Sequence, residues 1–469
     1  MQLYNTLTKK QETLIPNKPG EVNIYTCGPT VYHYAHIGNL RTYIFEDILV
    51  KSLKYCGYKV NRVMNITDVG HMTSDADTGE DKMLKGAQRE HKTVYEIAEF
   101  YTNGFLKDIK SLNIEKPSVL EPASNNIDMY IKIIEKLLDT GYAYIENGNV
   151  YFDVSKIPNY YELSGKNKED LIIGAREDVT EDIHKKNPFD FGLWFTSSKF
   201  DNQAMKWDSP WGIGYPGWHI ECTGISIKYL GEYLDIHCGG VDNIFPHHTN
   251  EIAQSESYLG HKWCNIWMHG EHLNDQHGKM SKSNGEFLTL SLLNTKGYSS
   301  LVYRLFCLQS HYRNQLVFSY EGIDLTKNAY IKLLNKVKNI KLGCNENDLI
   351  NDKLTSEYIQ KFKNCLENDL NTSSCLTVLY DVIKDNNLTN TNKVQLIDNF
   401  DKVLSLDLLK DEEKNIDVSL EKYILEMIEQ RNLAKQQKNY ELADQIRQDL
   451  LDKGIILKDS REGTTYEIK

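Results

Sequence analysis

Three consecutive segments near the N-terminus most limit what this chain can fold into. EVNIYTCG, residues 21–28, reads as a strand that ends at a glycine turn. HIGNLRTYIFEDILVKSLKYC, residues 36–56, carries apolar residues at helical spacing and stops at Gly57. KVNRVMNIT, residues 59–67, reads as the next strand. Strand, helix and strand make a βαβ unit, the repeat of a doubly wound parallel sheet. Such sheets bind ligands beyond the carboxyl ends of their strands, where Cys27, Thr67 and Asp68 fall.

The pattern is interrupted and then resumes. Residues 116–206 are mixed, tyrosine-rich and charged, with a hairpin signal at Asn147 and Gly148, and read as an insertion. After them come WHIECTGISIKYLG, the strand YLDIHCGG, a helix opened by Pro246 and the strand HKWCNIWMHGEHL. The expected fold class is α/β: a split Rossmann-type parallel sheet whose halves, 1–115 and 207–270, flank a connective insertion at 116–206. A loop-rich stretch at 271–320 follows. From 321 the pattern is almost wholly helical, divided into a bundle at 321–408 and a terminal segment at 409–469. The Asn-rich stretch near 385–392 and DEEKNID at 411–417 read as linkers within it.

Composition narrows the setting. The 469 residues are 40% hydrophobic and 26% charged, enough for two to four domains with cores. Nine cysteines without a paired spacing follow a polar N-terminus, MQLYNTLTKKQ, so reduced thiols in a cytoplasm are expected. No apolar run approaches the ~20 residues that span a bilayer, and no membrane partner is expected. The patterning shows no long exposed apolar stripe, which favours a monomer. The formal net charge of -12 argues against indiscriminate polyanion binding and leaves room for a local basic face.

Three short segments bear on chemistry. HIGN, residues 36–39, stands at the turn into the first helix, where backbone N–H groups and the helix dipole attract an anion such as a nucleotide's phosphates. KMSKS, residues 279–283, sets two lysines among small hydroxyl residues between Gly278 and Gly285, the composition of a loop that closes over phosphates. IFPHHTNEIAQSE, residues 244–256, places His247 four residues before Glu251 on one helical face. Each has a plainer alternative: a capping histidine, a solvated lysine loop, a helix start.

YTCGPTVYHYAHIGNLRTY, NITDVGHM, PGWHIEC, GGVDNIFPHHTNEIAQSE, GKMSKS and HYRNQLVFS follow one another along nearly the whole chain. In these segments and their order the sequence resembles the class I aminoacyl-tRNA synthetases, whose signatures are HIGH and KMSKS, and within them the cysteinyl-tRNA synthetase family. The resemblance implies zinc ligands at Cys27, Cys222, His247 and Glu251, a borderline-soft set suited to Zn2+. It implies contacts to bound cysteine from Gly28 and Thr67, an aromatic wall at Trp218, and a ribose contact at Asp242. His36 and Asn39 would then hold ATP's phosphates from below, with Lys279 and Lys282 above them. Asn39 departs from HIGH; its amide donates a hydrogen bond but carries no charge. The family pattern does not use His219, His237, His248 or Cys238 as ligands, and usually has glycine where Cys238 stands, so that extra thiol stays an open ambiguity. The plainer reading of Cys27 and Cys222 is a pair of buried thiols, and of Trp218 a core tryptophan.

The implied reaction is ATP-dependent ligation of L-cysteine to tRNA(Cys) through a cysteinyl-adenylate, with one zinc ion per chain and Mg2+ accompanying ATP. A zinc-bound thiolate separates cysteine from serine by bonding chemistry, and no editing domain is expected. The terminal segment 409–469 would bind the anticodon, with Arg431, Lys435, Lys438 and Arg447 interleaved with Tyr440. Tyr466 stands where the family commonly has tryptophan. Two other readings remain at this point: a ligase of cysteine to an amino sugar, against which residues 321–469 speak, and a catalytically silent RNA or zinc binder.

Overall fold

β1 (Glu21–Thr26), α1 (Ile37–Tyr55) and β2 (Lys59–Ile66) form the crossover that the first three segments lead one to expect. The two strands run in parallel register from Glu21 beside Lys59 to Thr26 beside Met64, so they finish at the same edge. The computed structural model describes residues 1–69, 82–90, 92–166, 184–196, 205–275, 278–279, 287–345, 348, 351–411, 418–437, 439–460 and 463–468. They fall into two units, Met1–Leu409 and Lys410–Lys469.

The sheet gains β3 (Val119–Pro122) beside β2, and from beyond the insertion β4 (Leu234–Gly240) and β5 (Cys264–Gly270). Its order is β5-β4-β1-β2-β3 and every pairing is parallel. The direction of winding therefore reverses between β1 and β4, and that crevice is where such a sheet takes its ligands. β3 carries the sheet past residue 115, into the stretch read as insertion. Four residues close to Pro117 and ending in Pro122 show too little alternation for a strand to be seen in the sequence.

Two helices bring the second half of the crevice into place. α2 (Trp218–Leu230) leads into β4, and α3 (Thr249–Leu259) joins β4 to β5. The helix expected to open at Pro246 differs in detail. Ile244–His248 is a wide irregular turn, with Phe245 extended and the Phe245–Pro246 peptide cis, and regular helix starts only at Thr249. A proline read as a first helical residue fixes its own φ but says nothing of the peptide bond before it.

The insertion has an antiparallel sheet of Ala143–Glu146, Asn149–Phe152 and Phe191–Phe195, joined at its edge by Tyr215–Pro216 from beyond residue 206, over a core that includes Tyr130, Ile133, Phe152 and Trp194. Its first hairpin turns at Asn147 and Gly148, both at positive φ, the demand of a type I′ turn. Beyond residue 320 come Tyr320–Leu342, Asp352–Glu367, Thr372–Lys384 and Asn390–Leu404, capped by Ser319, Asn351, Asn371 and Thr389 through their side chains. The last helix begins inside the Asn-rich stretch read as a linker, because Thr389 caps it there. DEEKNID lies outside the described residues except at Asp411.

α1 is buried on nearly all sides, between the sheet and the helices Ser300–Leu308 and Asn390–Leu404. Charged groups are closed off at this junction. Asp47 accepts from Lys51 Nζ and Arg304 Nη2, each at 2.7 Å, and from the Glu115 backbone N–H at 2.8 Å. Arg304 gives its other donors to the carbonyls of Leu112, Val403 and Leu404.

The second unit has a separate small core of Ile424, Ile428, Ile446, Leu450, Ile455 and Leu457. Its helices Val418–Gln436 and Tyr440–Asp452 are followed by a hairpin, Ile455–Ser460 with Gly463–Ile468, which closes an otherwise helical region. Tyr440 and Arg447 are exposed there, Lys435 is half-buried and Arg431 is buried; Lys438 lies outside the described residues. Tyr466 falls in the last strand. Among the described residues no helix is long and apolar enough to cross a membrane.

Candidate metal centre and nucleotide site

Cys27 leaves the sheet directly after β1, at the reversal point, and its N–H donates to the Cys238 carbonyl of β4 at 3.2 Å. Gly28 follows against the end of β2. Its N–H donates to Asn65 Oδ1 at 2.8 Å, and a Cβ built there would lie 1.6 Å from the Asn65 carbonyl oxygen. Only glycine permits that approach. Cys222 sits in the second turn of α2, and the irregular turn before α3 brings in His247 while its first helical turn brings in Glu251.

The four side chains converge. Cys27 Sγ lies 3.9 Å from Cys222 Sγ, Cys222 Sγ 3.4 Å from His247 Nε2, and His247 Nε2 2.9 Å from Glu251 Oε1. One donor atom from each lies within 4.8 Å of all the others. Burial opposes charge on Cys222, yet the Cys27 thiol and His247 beside it draw the thiol down to about 6. Burial likewise opposes an imidazolium at His247, but Glu251 and Cys222 hold its proton up to about 10. Burial raises the Glu251 carboxyl, and His237 and His247 overcome it, down to about 2. A proton thus serves as the positive charge for a carboxylate and a thiolate. Lone pairs that bind a proton so firmly in a buried place fit a metal cation equally well.

A shell of histidines surrounds the four. His219 Nδ1 lies 2.9 Å from His247 Nδ1, which fixes the ring and leaves Nε2 toward the thiols. His219 is itself held by Gln254, whose side-chain nitrogen donates to its carbonyl and, at 2.6 Å, to Thr223 Oγ1. His237 Nε2 lies 2.8 Å from Glu251 Oε2, with its ring stacked on Trp267. His248 Nε2 lies 3.2 Å from Cys27 Sγ, and its Nδ1 leads through His269 to Thr6 Oγ1 in two contacts of 2.8 Å. Burial and the neighbouring imidazoles hold His219 and His248 below the usual histidine range, so both stay neutral. Cys27, His237, His248 and Glu251 make a second group of four within the same 4.8 Å.

Cys238 is separated from all this by the pleat. Successive side chains of β4 leave opposite faces, so His237 meets Glu251 while Cys238 turns toward Glu46 and Arg62 beneath α1. The ambiguity over the extra thiol closes in favour of a buried core residue.

Trp218, Thr67 and Asp242 lie near the same edge. Trp218 stacks on His247 with ring centroids 4.1 Å apart, and Thr67 Oγ1 donates to Glu221 Oε2 at 3.0 Å. Asp242, in the turn after β4, is exposed and pairs with His272 at 3.5 Å. His36 is the N-cap of α1: its Nδ1 accepts from the Asn39 N–H, and Asn39 Oδ1 accepts from the His36 N–H, both at 3.3 Å. Engagement of Nδ1 leaves the ring's proton on Nε2, and engagement of Oδ1 leaves the Asn39 NH2 outward. Both residues then carry donors of the kind that an anion at a helix N-terminus accepts from. The backbone of Ile37 donates to Leu288, and Phe287 packs edge-on against His33, so this turn meets the chain that follows KMSKS. Lys279 stands in a two-residue strand opposite Asn274. Lys282 lies outside the described residues.

Asn65, Glu221 and His269 were not singled out from the sequence. Their signal was faint but present: a polar side chain inside an otherwise apolar strand or helix run, as in VMNIT, HIECTG and IWMHG.

The fold and site define a class I aminoacyl-tRNA synthetase. A family model described as tRNA synthetases class I (C) catalytic domain matches residues 13–328, and one described as DALR domain matches 361–406. Solved structures of methionyl-tRNA synthetase from Mycobacterium tuberculosis (13% identity, TM-score 0.52, 82% of this chain and 90% of that one) and LeuRS from Agrobacterium radiobacter (10%, 0.56, 84% of each) share the fold. The cysteine-tRNA ligase of Treponema denticola is 46% identical over all of this chain and 99% of its own, and that of Borrelia turicatae 44% over 99% and 98%. The chain belongs to the cysteine-tRNA ligase family.

Proposed function

We propose that this chain activates L-cysteine with ATP and transfers it to tRNA(Cys), with zinc at Cys27, Cys222, His247 and Glu251. The observation that carries this reading is the convergence of those four donors at the crevice between β1 and β4. Bound there, zinc supplies a coordination place for a thiolate, which serine's hydroxyl fills poorly and alanine's methyl not at all. An apolar pocket alone separates such small side chains by about 10–200-fold.

The protein's own groups do the rest by position. Gly28 and Thr67 meet the amino acid, Trp218 walls its pocket, and Asp242 meets the ribose. The cysteine carboxylate attacks the α-phosphate of ATP in line, and cysteinyl-adenylate and pyrophosphate result. His36 Nε2–H and the Asn39 amide donate to the phosphates, and Lys279 and Lys282 neutralise the charge that develops, with Mg2+ brought by the nucleotide. No protein nucleophile is called for. A ribose hydroxyl of the tRNA's terminal adenosine then takes the acyl group. The segment 409–469, with Arg447 and Tyr440 exposed, is the reader of the anticodon. The enzyme acts as a cytoplasmic monomer. An amino sugar as acceptor is the weaker reading, since ligases of that kind lack a helical module such as residues 321–469, within which the DALR model matches 361–406.

Cysteine-dependent exchange of pyrophosphate into ATP tests this, before and after zinc removal, with serine as the control. Exchange with cysteine alone, lost with the metal and restored by zinc, is the expected result. Exchange that survives complete zinc removal sinks the metal's role, and none in the zinc-loaded protein sinks the activation step.

A further inference from the structure

Four polar groups at the carboxyl edge of the sheet are hydrogen-bonded in one direction. The Gly28 N–H donates to Asn65 Oδ1 at 2.8 Å. With its oxygen engaged, Asn65 turns its amide nitrogen to Thr67 Oγ1 at 2.9 Å. The Thr67 hydroxyl in turn donates to Glu221 Oε2 at 3.0 Å. Asn65, Thr67 and Glu221 are no more than 2% exposed, so water does not compete for these contacts. The backbone of Thr67 is pinned as well: its N–H donates to the Pro29 carbonyl at 3.0 Å, and its carbonyl accepts from Val31 at 3.2 Å.

We infer that Glu221 is a positioning residue that fixes the polarity of the Thr67 hydroxyl, and through it the seat of the substrate's ammonium group. A hydroxyl has one hydrogen and two lone pairs. Glu221 Oε2 takes the hydrogen and Asn65 fills one lone pair; burial pushes the Glu221 carboxyl well above the ordinary carboxylate range, and a proton it holds sits on Oε1, so toward the amino-acid pocket Oγ1 can only accept. An ammonium group, with donors and no acceptor, requires that polarity. Were the hydrogen free to rotate inward, the same hydroxyl would oppose the ammonium it is meant to bind.

A purely structural role fits Glu221 poorly. Its second oxygen, Oε1, is buried and has no hydrogen-bond partner among the described residues, so the contact with Thr67 is what holds the carboxyl group in place. Burying a carboxyl group on so few partners costs stability, a pattern met where a group serves function. Its neighbour in sequence is Cys222. One turn of α2 would then address both poles of a small substrate, the sulfur through residue 222 and the ammonium through residue 221.

The inference rests on the reading of Thr67 as a contact for cysteine, and a double-mutant cycle separates the two. The KM for cysteine in pyrophosphate exchange is measured for Thr67→Val, Glu221→Leu and the double variant, with zinc content determined for each. Each single change is expected to raise that KM about tenfold, with a smaller effect on the KM for ATP. The double variant is expected to be no worse than Thr67→Val, because without the hydroxyl there is nothing left for residue 221 to orient. Glu221→Gln, whose amide oxygen still accepts, should recover most of the KM lost in Glu221→Leu. If Glu221→Leu does not fold, Glu221→Met takes its place in the cycle. Additive effects, or a normal KM in Glu221→Leu, overturn the inference and leave Thr67's role standing. A normal KM in Thr67→Val overturns both.

Discussion

Two of the buried clusters of charged groups in the first unit differ in kind. At the junction beneath α1, Asp47 faces Lys51 and Arg304, and the donors left over on Arg304 meet three backbone carbonyls. Donors and acceptors balance within the chain. At the crevice, two thiols, a carboxylate and several imidazoles face one another. Burial works against a proton on His247, yet Glu251 and Cys222 hold it there up to about 10. A cluster closed by its own chain acts as a joint; one rich in lone pairs is a seat for a cation.

The contrast can be broken most forcefully at the joint. Arg304→Ala leaves Asp47 buried with Lys51 as its remaining cation and strips three carbonyls of a donor, so unfolding in urea should show a loss of about 3–5 kcal/mol. Zinc affinity of the folded fraction should hardly change. A loss below about 1 kcal/mol would show that the junction is not a stabilising closure.

At the crevice the effect should fall on the ion instead. His219→Ala removes the partner of His247 Nδ1, and zinc affinity measured by competition with a chelating dye should drop about 10–100-fold. The metal-free protein should unfold close to where the parent does. Equal zinc affinity would mean that the His219 contact does not orient the ligand.

The smallest effect sharpens the comparison through pH. Burial works against the Asp47 carboxylate, but Arg304 and Lys51 hold its pKa below the ordinary 3.8. Its stabilisation is therefore complete above that value and is lost as pH falls through the lower folded-state pKa. The stability gap between the parent and Asp47→Asn should narrow as pH is taken from 5 toward 3, and a constant gap would contradict the pairing.

Much of the frame was legible because it rests on local signals. The runs at 21–28, 36–56 and 59–67 became β1, α1 and β2 within two residues at each end, since apolar spacing and Gly57 act over short distances. β3 was not legible, as its pairing with β2 is set by tertiary contact and not by its own pattern. Of the candidate centre, the sequence offered residue types and, by resemblance, a set of four. It could not say that Cys238 turns away while His237 turns in, because the face each side chain takes depends on a strand's register with its neighbours. Nor could it show the chain of bonds from Gly28 to Glu221. Those residues are far apart in sequence and each alone looks like an ordinary polar position.

The insertion that divides the sheet also sets a clock. Cys27 and Cys222 are 195 residues apart, and His247 and Glu251 come later still. At a translation rate of about 5–20 residues per second, roughly 10 to 40 seconds separate the first thiol from the second as the nascent chain grows. Through that interval a lone sulfur at the end of β1 offers an ion no cage. The candidate centre therefore gains its last donors late, after the insertion and β4 have been made. The last donor arrives before the edge strand β5 has been made, so a metal bound as proposed would meet a complete set of donors while the sheet still lacks one strand.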